Sequence, residues 1–401
     1  MEIDKPYLFI EINEKNFIFF IAQYNQDLDF KILETKVVES SGILKGQIVD
    51  IEHSSKIIKD NLNILEKKIS HTFKNVTIIN DEDNFRCINV SGYKKLAGSQ
   101  ISNENISFIL NNLKKLIINN NPNYSLVHLF NSGFVLDKVN LEKLPIGLYG
   151  EFYSHTLTFF LLSKNNIKNL KLVLNNCHIE IDRIVFRSFA KGFDVVKKFP
   201  QKDYIKLINI GKSKSQISIF YQSSFIYLEK FDFGTDIIMK DVSKLCSLNL
   251  NSVKEVFKNI DFNKFSGDRK EIYLEKKYFE NQTYRKISLS HLYQIVFARV
   301  EELTNIIFKK NVNLRSFNNK KSQILKLVFD DENINNSCSE IFKKIFSTAG
   351  ELEVLKTTQD EHLSSCKASA ELIGKGWEKE AIPVIQAKKS IISRVFSTIF
   401  E

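Results

Sequence analysis

Apolar residues along this chain recur with two different periods, and their alternation outlines the fold. Tyr7 to Ile12 and Asn16 to Ala22 are almost uninterrupted apolar runs joined by Asn13-Glu14-Lys15, which predicts a β-hairpin. After Gly42 and Gly46, the positions Ile51, Ile58, Leu62, Leu65 and Ile69 fall on one face at helical spacing, predicting an amphipathic helix within 48–73. Strands are expected at Val76 to Ile79 and Phe85 to Ser91, then a turn region from Gly92 to Gly98 and a helix from Asn103 to Ile118. Two further strands, Leu126 to Phe130 and Gly133 to Leu136, flank Ser132-Gly133. His155 to Leu162 reads as a strand, Ile167 to Cys177 as a helix and Ile181 to Phe186 as a strand. From Tyr204 the pattern restarts with strands at Ile205 to Ile210, Gln216 to Tyr221 and Phe225 to Phe231, so the chain reads as an α/β duplication in pattern. A helix from Ser290 to Phe308, a strand from Ile324 to Phe329 and a helix from Cys338 to Phe346 complete the globular part.

Beyond Gly374, Gly376 and Pro383 the chain ends in a segment of different character. Ile391, Ile392, Val395, Phe396, Ile399 and Phe400 occupy one half-cylinder of a helical wheel, with Ser393, Arg394, Ser397 and Thr398 opposite. Lys388 and Lys389 enter beside the apolar face with stems long enough to reach lipid headgroups. Full burial of six such side chains would yield about 10 to 15 kcal/mol. Interfacial burial is partial and ordering costs roughly 1 to 2 kcal/mol per residue, so a few kcal/mol remain. A terminal helix docked on its own core would carry the same stripe. The punctuated linker and the flanking lysines, together with the family resemblance given below, favour a membrane surface, with anionic lipid adding about 1 kcal/mol per basic residue.

Composition narrows the class. At 401 residues the chain suits two to three domains, and 43% hydrophobic with 26% charged residues is the balance of a water-soluble fold. No window approaches the roughly 18 apolar residues of a spanning helix, and Met1 to Pro6 lacks a basic start; the expectation is a protein neither exported nor transmembrane. Five scattered cysteines form no C-x-x-C pair and read as reduced and mostly buried. A net charge of +10 attracts nucleic acid, anionic lipid and acidic peptides alike. The basic residues are dispersed and not interleaved with aromatics on one element, so no nucleic-acid role is expected.

Several passages then match one family. Glu39 to Leu62, Asn89 to Ser102 ("NVSGYKKLAGSQIS"), Leu144 to Gly150 with "SHTLT" after it, and Ala298 to Leu303 ("ARVEEL") resemble the bacterial cell-division protein FtsA, in order and with plausible spacing. The resemblance implies an α/β, actin-like two-lobed fold of duplicated ribonuclease-H-like halves, with an inserted α+β subdomain and a C-terminal amphipathic helix. The implied division is 1–80 and 163–198 for the first lobe core, 81–162 for the inserted subdomain, and 199–240 with 300–375 for the second lobe core. A smaller subdomain would cover 241–299, a linker 376–387 and the membrane-targeting helix 388–401. Self-association into filaments, recruitment of later division proteins and binding of the tail of the tubulin-like FtsZ are implied as well.

Actin-like proteins hold nucleotide phosphates between two Gly-rich hairpins, each led by an Asp, and this chain departs from that pattern. The first hairpin reads Glu11-Ile12-Asn13-Glu14-Lys15 and the second Asn209-Ile210-Gly211-Lys212-Ser213-Lys214. Where the family places a Gly-Gly at the adenosine, Phe329-Asp330-Asp331 stands. Side chains at Asn13, Lys212 and Phe329 are expected to occupy ligand volume, and Glu11 and Glu14 to face polyphosphate. The expectation is therefore no cofactor and no catalytic residue, with ATP and Mg²⁺ bound only if Lys212 and Lys214 supply the charge that lost amides no longer do.

In the family two basic residues near the "ARVEEL" helix engage the FtsZ tail, and by alignment these fall on Arg285 and Arg299; an Arg fork suits a carboxylate-bearing peptide. A solvated basic face, with Arg299 paired to Glu302 one turn on, is the bland alternative. Asp241 reads as structural, and His155 receives no chemistry. The resulting expectation is a non-enzymatic scaffold tethering the division ring to the cytoplasmic face of the inner membrane. A pilus-assembly adaptor of the same branch and a working ATPase or kinase of the superfold are the rivals.

Overall fold

The computed structural model describes residues 3–81, 83–265, 272–279, 282–317, 323–347, 352–354 and 363–383. Three antiparallel strands come first, β1 (Pro6–Ile12), β2 (Asn16–Tyr24) and β3 (Phe30–Glu39), followed by a small β4 (Ile43–Leu44) and β5 (Gln47–Ile48) ribbon. Helix α1 (Ile51–Ile69) starts where the Asp50 carboxylate accepts the His53 amide and stops at Ser70 in the left-handed conformation. It buries Ile58, Leu62 and Leu65, the stripe that the sequence presents.

There follow β6 (Asn75–Asn80), β7 (Phe85–Lys95), α2 (Asn103–Asn120), β8 (Tyr124–Leu136), β9 (Val139–Leu141) and β10 (Phe152–Ser163). Then come α3 (Lys164–Asn175), β11 (Glu180–Phe186) and α4 (Arg187–Lys198). The second half supplies β12 (Tyr204–Ile210), β13 (Ser215–Tyr221), β14 (Ser224–Phe231), α5 (Thr235–Cys246), α6 (Leu250–Asn259) and α7 (Leu289–Thr304). It continues with β15 (Gln323–Phe329), α8 (Glu332–Phe346) and β16 (Leu352–Val354), and the described chain ends with α9 (Ser364–Lys375) and β17 (Glu380–Pro383).

Two units emerge. The first comprises the described parts of Met1–Pro200, Phe220–Tyr227 and Asp360–Glu401. Its first sheet has the order β11-β6-β1-β2-β3, with β1, β6 and β11 parallel. Its second sheet, β17-β8-β10-β7, lies within 85–163 plus the late strand β17, and α2 covers it through Ile106, Ile109, Leu110 and Leu113. The other unit, Gln201–Ile219 and Leu228–Gln359, holds the parallel core β12-β15-β16 of a sheet ordered β14-β13-β12-β15-β16, packed with α8. The succession of a three-strand start and two parallel additions thus occurs twice, as the pattern predicts.

Several local expectations give way, each for a packing reason. The turn region placed at Gly92 is instead mid-strand, because α2 crosses there: a Cβ on Gly92 would stand 2.6 Å from Ile109. Strand β8 runs unbroken through Ser132-Gly133, and the pair marks a register shift against β10. The borders expected at 240/241 and 299/300 fall inside α5 and α7. Helix α8 begins at Glu332, ahead of the expected Cys338, because Asp331 caps it through the Asn333 amide.

The largest correction concerns 363–383, expected as second-lobe core and linker. Helix α9 lies against β1, β2 and α4, burying Cys366 and Ala370 among Phe9, Phe20 and Tyr24, and the Tyr24 hydroxyl donates to Ala370 O at 2.7 Å. Beyond it, Trp377 packs on Phe193 and donates to Ser223 O. Strand β17 then pairs with β8. Glu380 accepts from His128 Nδ1 at 2.6 Å and is ion-paired with Arg183 of β11, all three being buried. A register shift at 181/183 in β11 re-aims Arg183, and the Phe186 amide donates to His128 Nε2 at 3.2 Å, which fixes the tautomer with the proton on Nδ1.

Burial pushes the Glu380 carboxyl up, but Arg183 and His128 outweigh it and hold its pKa down to about 2. Its folded pKa lies below the ordinary value of 4.5, so its contribution is complete above that pH and is lost as pH falls toward about 2. Glu380→Gln strands the buried Arg183 and should cost about 3 kcal/mol at pH 7 by urea denaturation. The gap to wild type should narrow as the pH is lowered through that window.

Candidate functional site at the carboxyl ends of the parallel strands

In open α/β sheets ligands gather beyond the carboxyl ends of parallel strands, and both degenerate hairpins lie at such ends. In the first unit these are the ends of β1, β6 and β11, carrying Glu11 and Asn13, Asp81, and Arg187. Glu11, expected to face polyphosphate, is fully buried and bonded to partners within the chain. One of its oxygens meets Arg187 Nε at 2.8 Å and Asn13 Nδ2 at 3.1 Å, and the other accepts from Ser365 at the start of α9. Arg187 also donates to Asp81 at 3.0 Å. Burial, joined by the neighbouring Glu11 charge, pushes the Cys366 thiol well up, against the pull of Arg187.

Asn13 does more than fill space. Its Oδ1 accepts the Lys15 amide at 3.0 Å and the Asn16 amide at 2.9 Å, an Asx turn that takes up amides of the hairpin tip. Glu14 accepts the Lys45 amide. In a phosphate-binding hairpin such amides point at the ligand.

The other unit repeats this self-closure with different residues. At the ends of β12 and β15, Asn209 donates to Asp330 Oδ2 at 3.1 Å, and Lys212 Nζ lies 3.6 Å from Asp331. The Gly211 amide bonds Lys214 O at 2.8 Å, and the carbonyls of Gly211 and Lys212 accept the Thr235 and Asp236 amides at 2.9 Å. Lys212 and Ser213 are exposed, so the tip of this hairpin is open to solvent. Phe329 overturns its expectation: the ring is fully buried and packs edge-on against Phe342, 5.0 Å between centroids, inside the unit's core. The strand alternation explains this, since Leu325, Leu327 and Phe329 share one face of β15. The side chains that crowd this end are Asp330 and Asp331.

The two arginines expected to meet a partner peptide both anchor on α5. Arg299 of α7 is ion-paired with Asp241 and reaches Glu302 at 2.5 Å, leaving its side chain 23% exposed. Arg285 is exposed and donates to Ser247 O at 2.6 Å, at the end of the same helix. Asp241 and Ser247 are six residues apart, which is about 9 Å of helix rise. Lys276 and Lys286 lie over the Tyr284 and Tyr273 rings nearby in sequence. His155 is buried and bonded to Asn131 at 2.9 Å, with burial lowering its pKa to about 3, a structural histidine. The expected membrane residues Lys388, Lys389, Ile391, Ile392, Arg394, Val395, Phe396, Ile399 and Phe400 lie outside the described residues. The Glu11 partners Arg187, part-exposed, and Ser365, buried, carry no sequence motif and could be found only once α4 and α9 were in place.

Two units with one sheet succession and an inserted α+β layer make this an actin-like fold. It is similar to a chain of the PilM-PilN type IV pilus biogenesis complex, with a TM-score of 0.57 at 9% identity over 93% of this chain and 99% of that one. It is also similar to a diol dehydratase-reactivating factor in nucleotide-free form, with a TM-score of 0.52 at 7% identity over 93% and 100%. In sequence the chain resembles the cell division protein FtsA of Buchnera aphidicola subsp. Schizaphis graminum, 21% identical over 300 residues that cover 74% of this chain and 71% of the relative. FtsA of Neisseria meningitidis serogroup B is 19% identical over 310 residues, 77% and 74% of the two chains. FtsA of Escherichia coli K12 matches at 16% over 204 residues. No protein-family model matches the chain.

A Cβ on Gly234 would stand 2.3 Å from Gly211 O and 2.4 Å from Lys212 O, so the turn before α5 and the second hairpin are in van der Waals lock. Gly234→Ala should destabilise the protein by about 1 to 3 kcal/mol in urea titration. A loss under about 0.5 kcal/mol, the scale of an ordinary surface change, would show that the hairpin yields.

Proposed function

We propose that this chain is a non-enzymatic, actin-like scaffold of bacterial cell division that links the FtsZ tail to the cytoplasmic face of the inner membrane. The observation that carries the reading is the similarity to FtsA proteins across about three quarters of the chain. The hairpins support its non-enzymatic part. Asn13 takes up the Lys15 and Asn16 amides, Glu11 is enclosed, and Asp330 and Asp331 bring carboxylates to the second strand end. Carboxylates repel polyphosphate, and amides already bonded gain little by turning to a new acceptor.

On this reading Arg285 and Arg299 receive the acidic peptide along α5, where the peptide's carboxylates replace Asp241 and Glu302 on the Arg299 fork. The tail from Lys388 to Phe400 lies on anionic lipid. One helix binds reversibly there, and self-association into filaments presents many helices at once. Exposed Tyr93 and Phe152 on the inserted sheet, with exposed Tyr149 in the connection before β10, offer later division proteins an apolar landing surface. The pilus-adaptor reading draws on similarity of fold alone.

Fluorescently labelled full-length protein is expected to form mid-cell bands in dividing bacteria, and the chain truncated before Lys388 is expected to stay diffuse. Bands that persist without the tail would remove the membrane arm of the proposal, and diffuse full-length protein would remove the division role. Titration with a fluorescent ATP analogue and Mg²⁺ is expected to show no saturable binding at micromolar concentration.

A further inference from the structure

One end of the inserted sheet is built from stretches without acidic residues. No Asp or Glu occurs between Glu104 and Asp137, or between Glu151 and Glu180. At that end α2 finishes, β8 begins and β10 passes into α3: the Tyr124 amide bonds Asn121 O at 3.0 Å, and the Lys164 amide bonds Asn123 O at 2.9 Å. Lys164, Lys168 and Lys171 follow one another on α3 at intervals of four and three, so they fall within about 60° of arc. All three are exposed, and among the described residues none is ion-paired. Exposed apolar groups stand beside them, Leu172 on α3 and Leu116 and Ile118 in the last turns of α2. Arg86 of β7 adds a guanidinium over the Tyr124 ring, 4.4 Å from its centroid.

We propose that this end of the sheet is a second membrane contact, a surface of the globular body that lies against anionic lipid headgroups. Two features select lipid. Lysine stems reach headgroup phosphates while leucine and isoleucine side chains enter the interface between them; a nucleic-acid backbone would leave those apolar groups in water. The course of β17 is the other feature. Its pairing with β8 steps from Phe130 at Glu380 to His128 at Pro383, so the strand runs toward Tyr124 and the start of α3. Lys388 comes five residues after Pro383, a span of at most about 18 Å. The inference rests on the reading that the tail binds lipid, and deepens it: tail and body bind the same surface together, the first contact raising the effective concentration of the second. Two contacts also fix which side of the first unit faces the bilayer, which one helix at the end of a chain does not.

The test uses the full chain and vesicles of phosphatidylcholine with or without phosphatidylserine. Lys164→Glu/Lys168→Glu/Lys171→Glu is expected to bind the serine-containing vesicles at least about tenfold more weakly than wild type, and to match wild type on phosphatidylcholine alone. If the glutamates disturb α3, the same three positions are changed to Gln, and a smaller loss in the same direction is expected. Orientation is read by brominated lipid, which quenches tryptophan on contact. Leu116→Trp should be quenched, while Tyr93→Trp, which pairs with Ser154 near the opposite end of β10, should not; wild type supplies the background of its one tryptophan, Trp377. Unchanged affinity in the lysine variants, or no quenching at Leu116→Trp, overturns the second contact and leaves the tail reading in place. Phe396→Asp that binds as tightly as wild type removes the tail reading, and the lysine variants then report on the body alone. A wild-type chain that binds neither kind of vesicle overturns both.

Discussion

A carboxyl group enclosed at the end of the first strand sets the terms for much of the first unit. Glu11 is fully buried, and an ionised carboxylate without partners would cost several kcal/mol there. Three elements answer it, and a fourth shares one of them. Arg187 comes from the start of α4, Ser365 from the start of α9, Asn13 from the hairpin, and Asp81 shares the guanidinium from the end of β6. Their helices and strands must therefore meet at one point, and the hydrophobic contacts of Phe9, Tyr24, Cys366 and Ala370 complete the same junction.

A second charged knot, Glu380 with His128 and Arg183, does for the end of the described chain what the first does for its beginning. Strand β17 is joined to the second sheet by backbone pairing and to the first sheet by Arg183. Pro383 thus ends a segment held in the unit by a buried ion pair and a β-ladder.

Both candidate phosphate loops show the same logic of self-satisfaction, reached by different substitutions. An Asx turn at Asn13 and an Asn209–Asp330 hydrogen bond each give polar groups a permanent partner within the chain. The surface proposed to receive a partner is built the other way. Arg285 and the lysines over Tyr273 and Tyr284 carry charged groups there, and Arg299 is held by the carboxylates of Asp241 and Glu302.

Periodicity alone located β1, β2, α1, β6, α2, β10 to β13 and β15, because each buries one continuous apolar face and local spacing records that directly. The resemblance to FtsA exposed the altered hairpins at Glu11 to Lys15 and Asn209 to Lys214, since glycines missing from the family's pattern are visible residue by residue. Three things were decided only in three dimensions. Gly92 looked like a turn and proved to be the contact point of α2; Phe329 looked like an obstacle to a ligand and proved to be core. The stretch from Ser364 to Pro383 looked like second-lobe core and linker and proved to be the spine of the first unit. Its partners, Glu11 and His128, lie hundreds of residues earlier, and charge pairing across such separations leaves no local signature until the fold brings the groups together.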